Sequence, residues 1–237
     1  MSDLPEKPVT VVLVHGAWGD ASGWRRVIAH LHAAGLPVVA VQNPTTSLAD
    51  DVAATQLALA SIEGPVVLAG HSWGGTVITE AGNDPKVKAL VYVAAFAPEV
   101  GQSTGEQVAL HSTPPGLDGI IDDDNGHLMM SAESWVKNVA QDLPEAEARV
   151  LAAVQTPLGM QTFADKVTQT AWLGRPVWFV ISGADRAVSV DLQRELAASL
   201  KAHTTELDSS HMSILSQPQA VAAVIADAAT YVAAQSA

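Results

Sequence analysis

The stretch Val66-Val-Leu-Ala-Gly70-His-Ser72-Trp-Gly74-Gly75 decides the fold of this chain. A continuous apolar run that begins with two β-branched residues is typical of a strand buried on both faces, and here the run stops at Gly70. Residues 74–82 follow and are long enough for a short helix. The stretch therefore predicts a sharp turn from a strand into a helix, with Ser72 at its tip and small residues on either side.

The predicted turn gives Ser72 a chemical role. It lifts the hydroxyl clear of the sheet and places it at a helix N-terminus, where unpaired N–H groups and the helix dipole favour developing negative charge. The pattern G-x-S-x-G also occurs by chance in tight turns with an inert serine. The strand and helix on its two sides favour a nucleophile over that alternative.

Strands and helices alternate on both sides of this turn. Largely apolar runs at 9–14, 37–41, 87–96 and 177–182 predict further strands, a short strand is expected at 204–207, and helical spacing of apolar residues predicts helices between them. Trp24, Val27 and Leu31 show that spacing after the first strand, and Pro218 opens a last helix at its favoured first position. This order predicts a three-layer α/β fold, with helices on both faces of a mainly parallel sheet.

Residues 98–170 interrupt the alternation and are too long for a simple connection. They predict helices at 131–140 and 144–155 and hold the acidic run Asp122-Asp-Asp124, which is interpreted as a solvated loop and not as a calcium site. Insertions of this length are usually functional. We therefore expect an α/β core over residues 1–97 and 171–237, with an inserted helical lid over 98–170, called the lid segment below.

A serine hydroxyl needs a base near neutral pH, and the chain has eight histidines. His211 follows the last predicted strand, in a loop that can return to the carboxyl edge of the sheet, where ligands bind in open parallel sheets. His15 is expected to brace its own loop, and the side chain of His71 to diverge from Ser72. His111 and His127 lie in the lid segment, where surface positions are expected. His211 is therefore the predicted general base.

The third catalytic group must orient the imidazole. Asp185 comes just after the strand at 177–182, on the same sheet edge, and Asp208 is expected to lie too close to His211 in sequence to serve. The oxyanion hole needs two N–H donors. Trp73, which follows the nucleophile, is one, and Ala17 after Gly16 is the other, with Trp18 as the next choice.

These motifs resemble the α/β-hydrolase fold family, close to the branch of plant methyl-ester esterases and hydroxynitrile lyases. The resemblance spans nearly the whole chain and rests on the four motifs Gly70-His-Ser-Trp-Gly-Gly75, Val12-Leu-Val-His-Gly-Ala-Trp18, Val91-Tyr-Val-Ala-Ala-Phe-Ala-Pro98 and His211-Met-Ser-Ile-Leu-Ser-Gln-Pro218. It implies a six-stranded parallel core, a triad of Ser72, Asp185 and His211, and oxyanion donors at Ala17 and Trp73.

One position distinguishes the members of that branch. Many of its hydroxynitrile lyases carry a lysine directly after the catalytic histidine, and here that position is Met212. The resemblance therefore favours an esterase. Substrate contacts are expected from apolar residues near the turn and in the lid segment, namely Trp18, Met129, Trp135, Met160, Phe163 and Met212.

The expected activity is hydrolysis of small uncharged carboxylic esters through an acyl-enzyme on Ser72, with no metal and no organic cofactor. Two alternatives remain open. A hydrolase-fold ligand-binding or receptor protein would hydrolyse esters slowly and incidentally. A carbon–carbon hydrolase, a lyase or a perhydrolase would use the same triad, because fold and triad do not set the acceptor.

The amino-acid composition narrows the classes of partner that the protein is expected to bind. There are 12 Lys and Arg against 25 Asp and Glu, a formal net charge of −13, which argues against nucleic-acid and anionic-membrane surfaces. No cysteine is present, so covalent chemistry on a thiol is excluded. The longest apolar run, 89–97, is too short to span a bilayer. Residues 1–8 show no secretory signal, so a cytoplasmic protein is expected, and the resemblance adds a homodimer as a possibility.

Overall fold

The computed structural model describes residues 7–236, so most of the N-terminal stretch examined for a secretory signal lies outside the described residues. The strands are β1 (Thr10–Val14), β2 (Val38–Val41), β3 (Val66–His71), β4 (Val87–Val93), β5 (Ile120–Asp122), β6 (His127–Met130), β7 (Leu158–Gly159), β8 (Val177–Ser182) and β9 (His203–Leu207). The α-helices are α1 (Arg25–Ala33), α2 (Leu48–Ala60), α3 (Trp73–Ala81), α4 (Thr104–Val108), α5 (Ala132–Ser134), α6 (Glu145–Val154), α7 (Val190–Ser199), α8 (Ser213–Ser216) and α9 (Pro218–Ser236). Short 3₁₀ turns cover Ala21–Trp24, Pro115–Gly119 and Ala171–Gly174, and a π-helical turn covers Trp135–Val139.

Six strands form one sheet in the order β2-β1-β3-β4-β8-β9, and every neighbouring pair is parallel. The central strand β3 lies between β1 and β4, with Gly70 aligned to Val14 on one side and to Tyr92 on the other. All carboxyl ends of these strands therefore meet at one edge. The predicted three-layer α/β fold with a parallel six-stranded sheet is confirmed.

Alternate side chains of the strands supply the two cores. On one face, Val11 and Leu13 pack with α1 and α9; on the other, Val12 and Val14 pack with α2, α3 and α7. Each of these four strand residues has an exposure of 0%. Because both faces are covered, the strands read as continuous apolar runs in the sequence and not as alternating ones.

Strand β4 is shorter than the predicted span of 87–96. It ends at Val93 because Ala94 adopts a positive φ of 46°, which turns the chain out of the sheet. Phe96 then donates its N–H to the carbonyl oxygen of Ser72 at 3.3 Å. The three apolar residues that lengthened the predicted strand are thus part of the loop beside the serine.

The lid segment is not wholly helical, which corrects the expectation from sequence. β5, β6 and β7 form a three-stranded antiparallel sheet, and Gly126, with φ of +90°, lies in the turn between β5 and β6. In the same turn the Asp123 carboxylate accepts the N–H groups of Asn125 and His127. The predicted helix at 131–140 is three residues of α5 followed by the π turn, whereas the predicted helix at 144–155 is present as α6.

Two carboxylates fasten the end of the lid segment to the core. Glu80 of α3 accepts hydrogen bonds from the N–H groups of Thr168 and Gln169, and Asp165 accepts from the N–H of Leu48 at the start of α2. The end of the lid segment thus lies against α2 and α3. Within residues 7–236, no helix combines the length and apolar character needed to cross a bilayer.

Candidate active site

Ser72 occupies the strained turn between β3 and α3. Its backbone has φ of 55° and ψ of −123°, a region that non-glycine residues rarely adopt. Three hydrogen bonds hold it there: the Ser72 N–H donates to Val93 at 3.1 Å, and the Ser72 carbonyl oxygen accepts from Gly75 at 2.9 Å and from Phe96 at 3.3 Å. Strain maintained by surrounding contacts at a serine is typical of a nucleophile elbow.

Gly70 is required by this turn. A Cβ atom at position 70 would overlap the backbone carbonyl of Gly74, which lies across the turn. Because a backbone atom cannot move aside cheaply, any side chain at Gly70 would open the turn. The glycine pattern in the sequence therefore has a direct steric cause in the structure.

His211 and Asp185 are hydrogen-bonded beside this turn. His211 Nδ1 lies 2.8 Å from Asp185 Oδ2, and the side chain of Asp185 is 0% exposed. A carboxylate only accepts, so Nδ1 carries the proton and Nε2 is left as the basic nitrogen. His211 and Ser72 line the same cavity. The structure therefore brings together the three side chains predicted for the triad.

The carboxylate of Asp185 has further donors. Its Oδ1 accepts from the backbone N–H groups of Ala187 at 2.8 Å and Val188 at 2.9 Å. Its Oδ2 accepts from Gln193 Nε2 at 2.9 Å in addition to His211. These bonds give both oxygens of the buried carboxylate hydrogen-bond partners. Gln193 was not identified from the sequence. The signal available there is a polar side chain next to Leu192, which faces inward on α7.

His71 contacts His211, the predicted general base. Contrary to the expectation that its side chain diverges from Ser72, it lines the same cavity, and its Nε2–H donates to the His211 carbonyl oxygen at 2.9 Å. The two imidazole rings lie 4.7 Å apart between centroids. Burial, together with the neighbouring His211, lowers the pKa of His71 to about 3. His71 is therefore a neutral donor that holds the His211 backbone.

The loop after β1 faces the serine. A Cβ at Gly16 would lie 2.7 Å from Ser72 Cβ, so only glycine allows the loop to approach this closely. His15 braces the loop as expected, because Nδ1–H donates to the Gly16 carbonyl oxygen at 2.9 Å and Nε2 accepts the N–H of Asn43 at 2.9 Å. Within the described part of the chain, the N–H groups of Ala17 and Trp73 donate to no protein acceptor.

The indole of Trp73 points away from the cavity. Its Nε1–H donates to Asp51 Oδ2 at 2.7 Å, while Asp51 Oδ1 accepts from the N–H of Thr45 at 2.7 Å. Asp51 is 0% exposed, and burial raises its pKa to about 6. Trp18 lines the cavity beside Ser72, whereas the Trp73 side chain anchors α3 to α2.

The cavity beside Ser72 is lined almost entirely by apolar side chains. The core contributes Ala17, Trp18, Phe96, Ala187, Val188 and Met212, and the lid segment contributes Val108, Leu117, Trp135, Val139 and Phe163. The polar lining is confined to His71, Ser72 and His211. No Asp, Glu, Lys or Arg of the described residues lies in this lining, so the cavity suits neutral groups.

Four of the six residues predicted to contact substrate line this cavity: Trp18, Trp135, Phe163 and Met212. The other two, Met129 and Met160, lie outside it. Met129 pairs with Ile121 across β5 and β6, and Met160 is 45% exposed after β7. The antiparallel sheet of the lid segment, absent from the sequence-based prediction, directs these residues elsewhere.

Two hydrogen bonds connect the lid segment to the loop after β1. Trp18, which has a positive φ of 56°, donates its Nε1–H to the carbonyl oxygen of Leu128 at 2.9 Å. Thr156 donates its hydroxyl to the carbonyl oxygen of Gly19 at 2.8 Å. Since Ala17 lies in the same loop, the lid segment and the predicted oxyanion donor are mechanically linked.

Among residues 7–236, no three His, Asp or Glu side chains are grouped as a metal site would need.

Comparison with known proteins places this geometry in a family. A model of the alpha/beta hydrolase family matches residues 11–224. The chain is 26% identical over 244 residues to "Probable hydrolase R7" of Phoma sp., covering 92% of this chain and 97% of that one. It is 28% identical over 239 residues to a carbendazim hydrolyzing esterase of Nocardioides sp., covering 81% and 98%.

Solved structures share the fold. The pyrethroid hydrolase PytH superposes with a TM-score of 0.81 at 23% identity, covering 95% of this chain and 99% of that one. The methylesterase MES16 from Arabidopsis superposes with a TM-score of 0.77 at 21% identity, covering 94% and 99%. The second of these is a plant methylesterase, as the resemblance in the sequence indicated. From its fold and its match over residues 11–224, the chain belongs to the alpha/beta hydrolase family.

Proposed function

We propose that this protein is a serine carboxylic-ester hydrolase that acts on small uncharged esters through an acyl-enzyme on Ser72. One observation carries the proposal: His211, which is hydrogen-bonded to the buried Asp185 at 2.8 Å, lines a largely apolar cavity together with a serine on a strained elbow. A base and a nucleophile in one cavity, with an orienting carboxylate behind the base, are the parts that acyl transfer requires.

Acylation follows from the hydrogen bonds of His211. Its unprotonated Nε2 accepts the proton of the Ser72 hydroxyl as Oγ attacks the ester carbonyl carbon, and Nδ1–H stays bonded to Asp185. The oxyanion that forms accepts hydrogen bonds from the free N–H groups of Ala17 and Trp73. The intermediate then collapses: the bond to the alcohol oxygen breaks, and the alcohol leaves with the proton from His211.

Deacylation repeats the same steps with water. His211 Nε2 takes a proton from water, the resulting hydroxide attacks the acyl carbon, and the bond to Ser72 Oγ breaks as His211 returns the proton to it. The acid is released and the resting state is restored. Asp185 stays ionised throughout and stabilises the imidazolium that forms twice in each cycle.

The lining of the cavity supports uncharged substrates. A charged acyl or alcohol group would lose its hydration against Trp135, Val139 and Phe163 and would find no counter-ion there. Met212, which follows the catalytic histidine, also lines the cavity and carries no charge. A neutral thioether at this position supports ester hydrolysis over a reaction that must stabilise a departing anion such as cyanide.

The comparisons support the same reaction class. A carbendazim hydrolyzing esterase matches 81% of this chain in sequence, and a pyrethroid hydrolase matches 95% of it in structure. The substrates in these names are those of the two relatives. We draw from them only the shared reaction class, which is hydrolysis.

The test is covalent trapping at Ser72. Purified protein treated with a fluorophosphonate probe, and separately with p-nitrophenyl butyrate, is examined by mass spectrometry and by release of p-nitrophenol. We expect one label, on the peptide that contains Ser72, and steady turnover of the ester. Ser72→Ala should lose the label and at least ~10³-fold of the turnover rate, because the nucleophile is gone.

Ser199→Ala is the matched control, because Ser199 lies at the end of α7 and donates its hydroxyl to Leu196. It should label and turn over like the wild type. Turnover far below ~1 s⁻¹ on every activated ester, with labelling intact, would favour a ligand-binding protein over an esterase. Turnover that persists at the wild-type rate in Ser72→Ala would overturn the proposal.

A further inference from the structure

Gln193 has a fully buried polar side chain, and one of its hydrogen bonds is made to Asp185 of the predicted triad. It belongs to α7 and is 0% exposed. Its Oε1 accepts the backbone N–H of Ser182 at 3.0 Å, where β8 ends. Its Nε2 lies 2.9 Å from Asp185 Oδ2 and 3.3 Å from the Val188 carbonyl oxygen. Gln193 thus connects the end of the strand, the helix and the carboxylate behind His211.

The orientation of this amide is fixed by its partners. A backbone N–H only donates, so the atom that faces Ser182 must be the oxygen. Asp185 and the Val188 carbonyl only accept, so the atom that faces them must be the nitrogen. All three contacts agree, and a flipped amide would break each of them. The N–H of Gln193 is therefore directed at the same oxygen of Asp185 that accepts from His211.

We propose that Gln193 is a positioning residue for ester hydrolysis, which holds Asp185 Oδ2 in line with His211 Nδ1. The inference rests on the proposed function. The backbone N–H groups of Ala187 and Val188 hold Oδ1 of Asp185. Rotation of the carboxylate about its Cβ–Cγ bond is then restrained by the hydrogen bonds to Oδ2. Among the described residues, Oδ2 accepts hydrogen bonds from Gln193 and His211. Loss of Gln193 would therefore leave His211 as the one donor that holds Oδ2.

Charged side chains on the surrounding elements act elsewhere. On α7, Arg194 pairs with Asp191 and with Glu206 of β9. Arg186, next to Asp185, donates to the carbonyl oxygen of Lys137 in the lid segment. On α7, Glu195 pairs with His111 of the lid segment. The ionisable groups in hydrogen-bond contact with the cluster itself are therefore Asp185 and, through it, His211.

Two substitutions separate positioning from simple structural support. Gln193→Glu keeps an oxygen for the Ser182 N–H but places a second carboxylate oxygen against Asp185. Gln193→Met keeps the unbranched chain and removes all three hydrogen bonds. If Gln193 only supports the fold, either change lowers stability but leaves kcat per folded active site at the wild-type value. A positioning residue would lose catalysis in both, because both remove the donor to Asp185.

The measured quantities are kcat and KM for p-nitrophenyl butyrate, with active sites counted by fluorophosphonate labelling. We expect kcat per active site to fall about tenfold in Gln193→Met with KM within about twofold, in the range known for residues that orient a catalytic group. At pH 8, kcat per active site should fall further in Gln193→Glu than in Gln193→Met. At pH 6 the Gln193→Glu variant should regain activity relative to the wild type, because a proton shared by the new carboxyl group and Asp185 restores a donor.

Gln107→Met is the matched control, because Gln107 is also buried and also accepts a backbone N–H, from Ala97, but does not touch the triad. It should lower the melting temperature and leave kcat per active site unchanged. Wild-type kcat in both Gln193 variants would overturn the positioning role while leaving the esterase intact. Absence of ester turnover in the wild type would overturn the proposed function and this inference with it.

Discussion

Asp142 of the lid segment accepts a hydrogen bond of 2.7 Å from the backbone N–H of Ser210, the residue that precedes His211. One position earlier, Gln141 Nε2 donates to the carbonyl oxygen of Ala184, which precedes Asp185, at 2.8 Å. Two consecutive residues of the lid segment thus hold the two loops that carry the predicted base and its carboxylate. Placement of the lid segment is therefore coupled to alignment within the triad.

Asp142→Ala should lower kcat/KM for p-nitrophenyl butyrate about tenfold, because a hydrogen bond from an amide to a charged acceptor contributes about 1.5–3 kcal/mol. Asp142→Asn should keep part of the activity, since its amide oxygen still accepts from Ser210. Gln141→Ala removes a neutral bond and should cost less. Steady-state kinetics of the three variants provide the test, and equal rates in Asp142→Ala and wild type would contradict the coupling.

Gly16→Ala should abolish most of the activity. Its Cβ would lie 2.7 Å from Ser72 Cβ and 3.1 Å from the His71 carbonyl oxygen, so the loop that carries Ala17 must withdraw. Loss of one oxyanion donor alone costs about 10²- to 10³-fold in kcat. Gly19→Ala is the control in the same loop, because the nearest atoms to its Cβ lie at 3.7 Å. Near-equal kcat values for the two variants would refute the assigned loop.

Acid should destabilise the protein through His71. Burial lowers its folded-state pKa from 6.5 to about 3, so the unfolded chain binds a proton that the folded one does not. The stability is fully present above pH 6.5 and is lost as the pH falls toward 3. Between pH 7.5 and 4.5 we expect the free energy of unfolding to drop by about 2–3 kcal/mol from this residue.

His71→Gln should remove that component, because the amide can still donate to the His211 carbonyl oxygen but does not titrate. Urea unfolding of both proteins at the two pH values measures the difference. His30→Gln, at an exposed position of α1, is the control and should keep the wild-type pH dependence. An acid response that is the same in wild type and His71→Gln would contradict the assignment.

Asp51 should change the stability of the protein with pH in the direction opposite to His71. Its folded-state pKa is raised from 3.8 to about 6, so the folded protein binds the proton more tightly than the unfolded chain does. Its contribution is most favourable below pH 3.8 and is lost as the pH rises through 6. Relative to wild type, Asp51→Asn should gain about 2 kcal/mol in unfolding free energy between pH 4.5 and 7.5. A difference between the two proteins that does not vary with pH would exclude this role for Asp51.

Anionic esters should be poor substrates. A carboxylate in the acyl part would be buried against Trp135, Val139 and Phe163 without a partner, which costs several kcal/mol. We expect kcat/KM for mono-p-nitrophenyl succinate to be lower than for p-nitrophenyl butyrate by about 10²-fold or more at low ionic strength. The ratio should persist at 0.5 M NaCl, because the cause is local desolvation and not the net charge of −13. Comparable rates for the two esters would show that the cavity is not the binding site.

The sequence predicted the sheet and the sites of its carboxyl edge well, for a local physical reason. The apolar run before Gly70 and the glycines around Ser72 each reflect a constraint within a few residues of themselves, burial on both faces and backbone overlap in the turn. The proximity of His211 and Asp185 could be predicted because each comes a few residues after a strand, and parallel strands bring such loops together.

Other features depend on contacts that local pattern does not encode. Met129 and Met160 were expected at the substrate because they are apolar and lie in the lid segment, but pairing between β5, β6 and β7 decides where they point. Gln193 and Asp142 have partners 8 and 68 residues away in sequence, and their roles follow only from the three-dimensional arrangement. His71 was expected to diverge from Ser72, and the twist of the elbow brings it against His211 instead.

The split lining of the cavity has a consequence for engineering. The side chains of Val108, Leu117 and Val139 come from the lid segment, are wholly aliphatic, and make no hydrogen bond to Ser72, Asp185 or His211. In the proposed esterase, the residues expected to set selectivity are thus separate from those expected to carry out the reaction. A small library that varies these three positions would explore acyl-chain length and branching without disturbing the proton relay, which makes this chain a suitable starting point for directed evolution of ester preference.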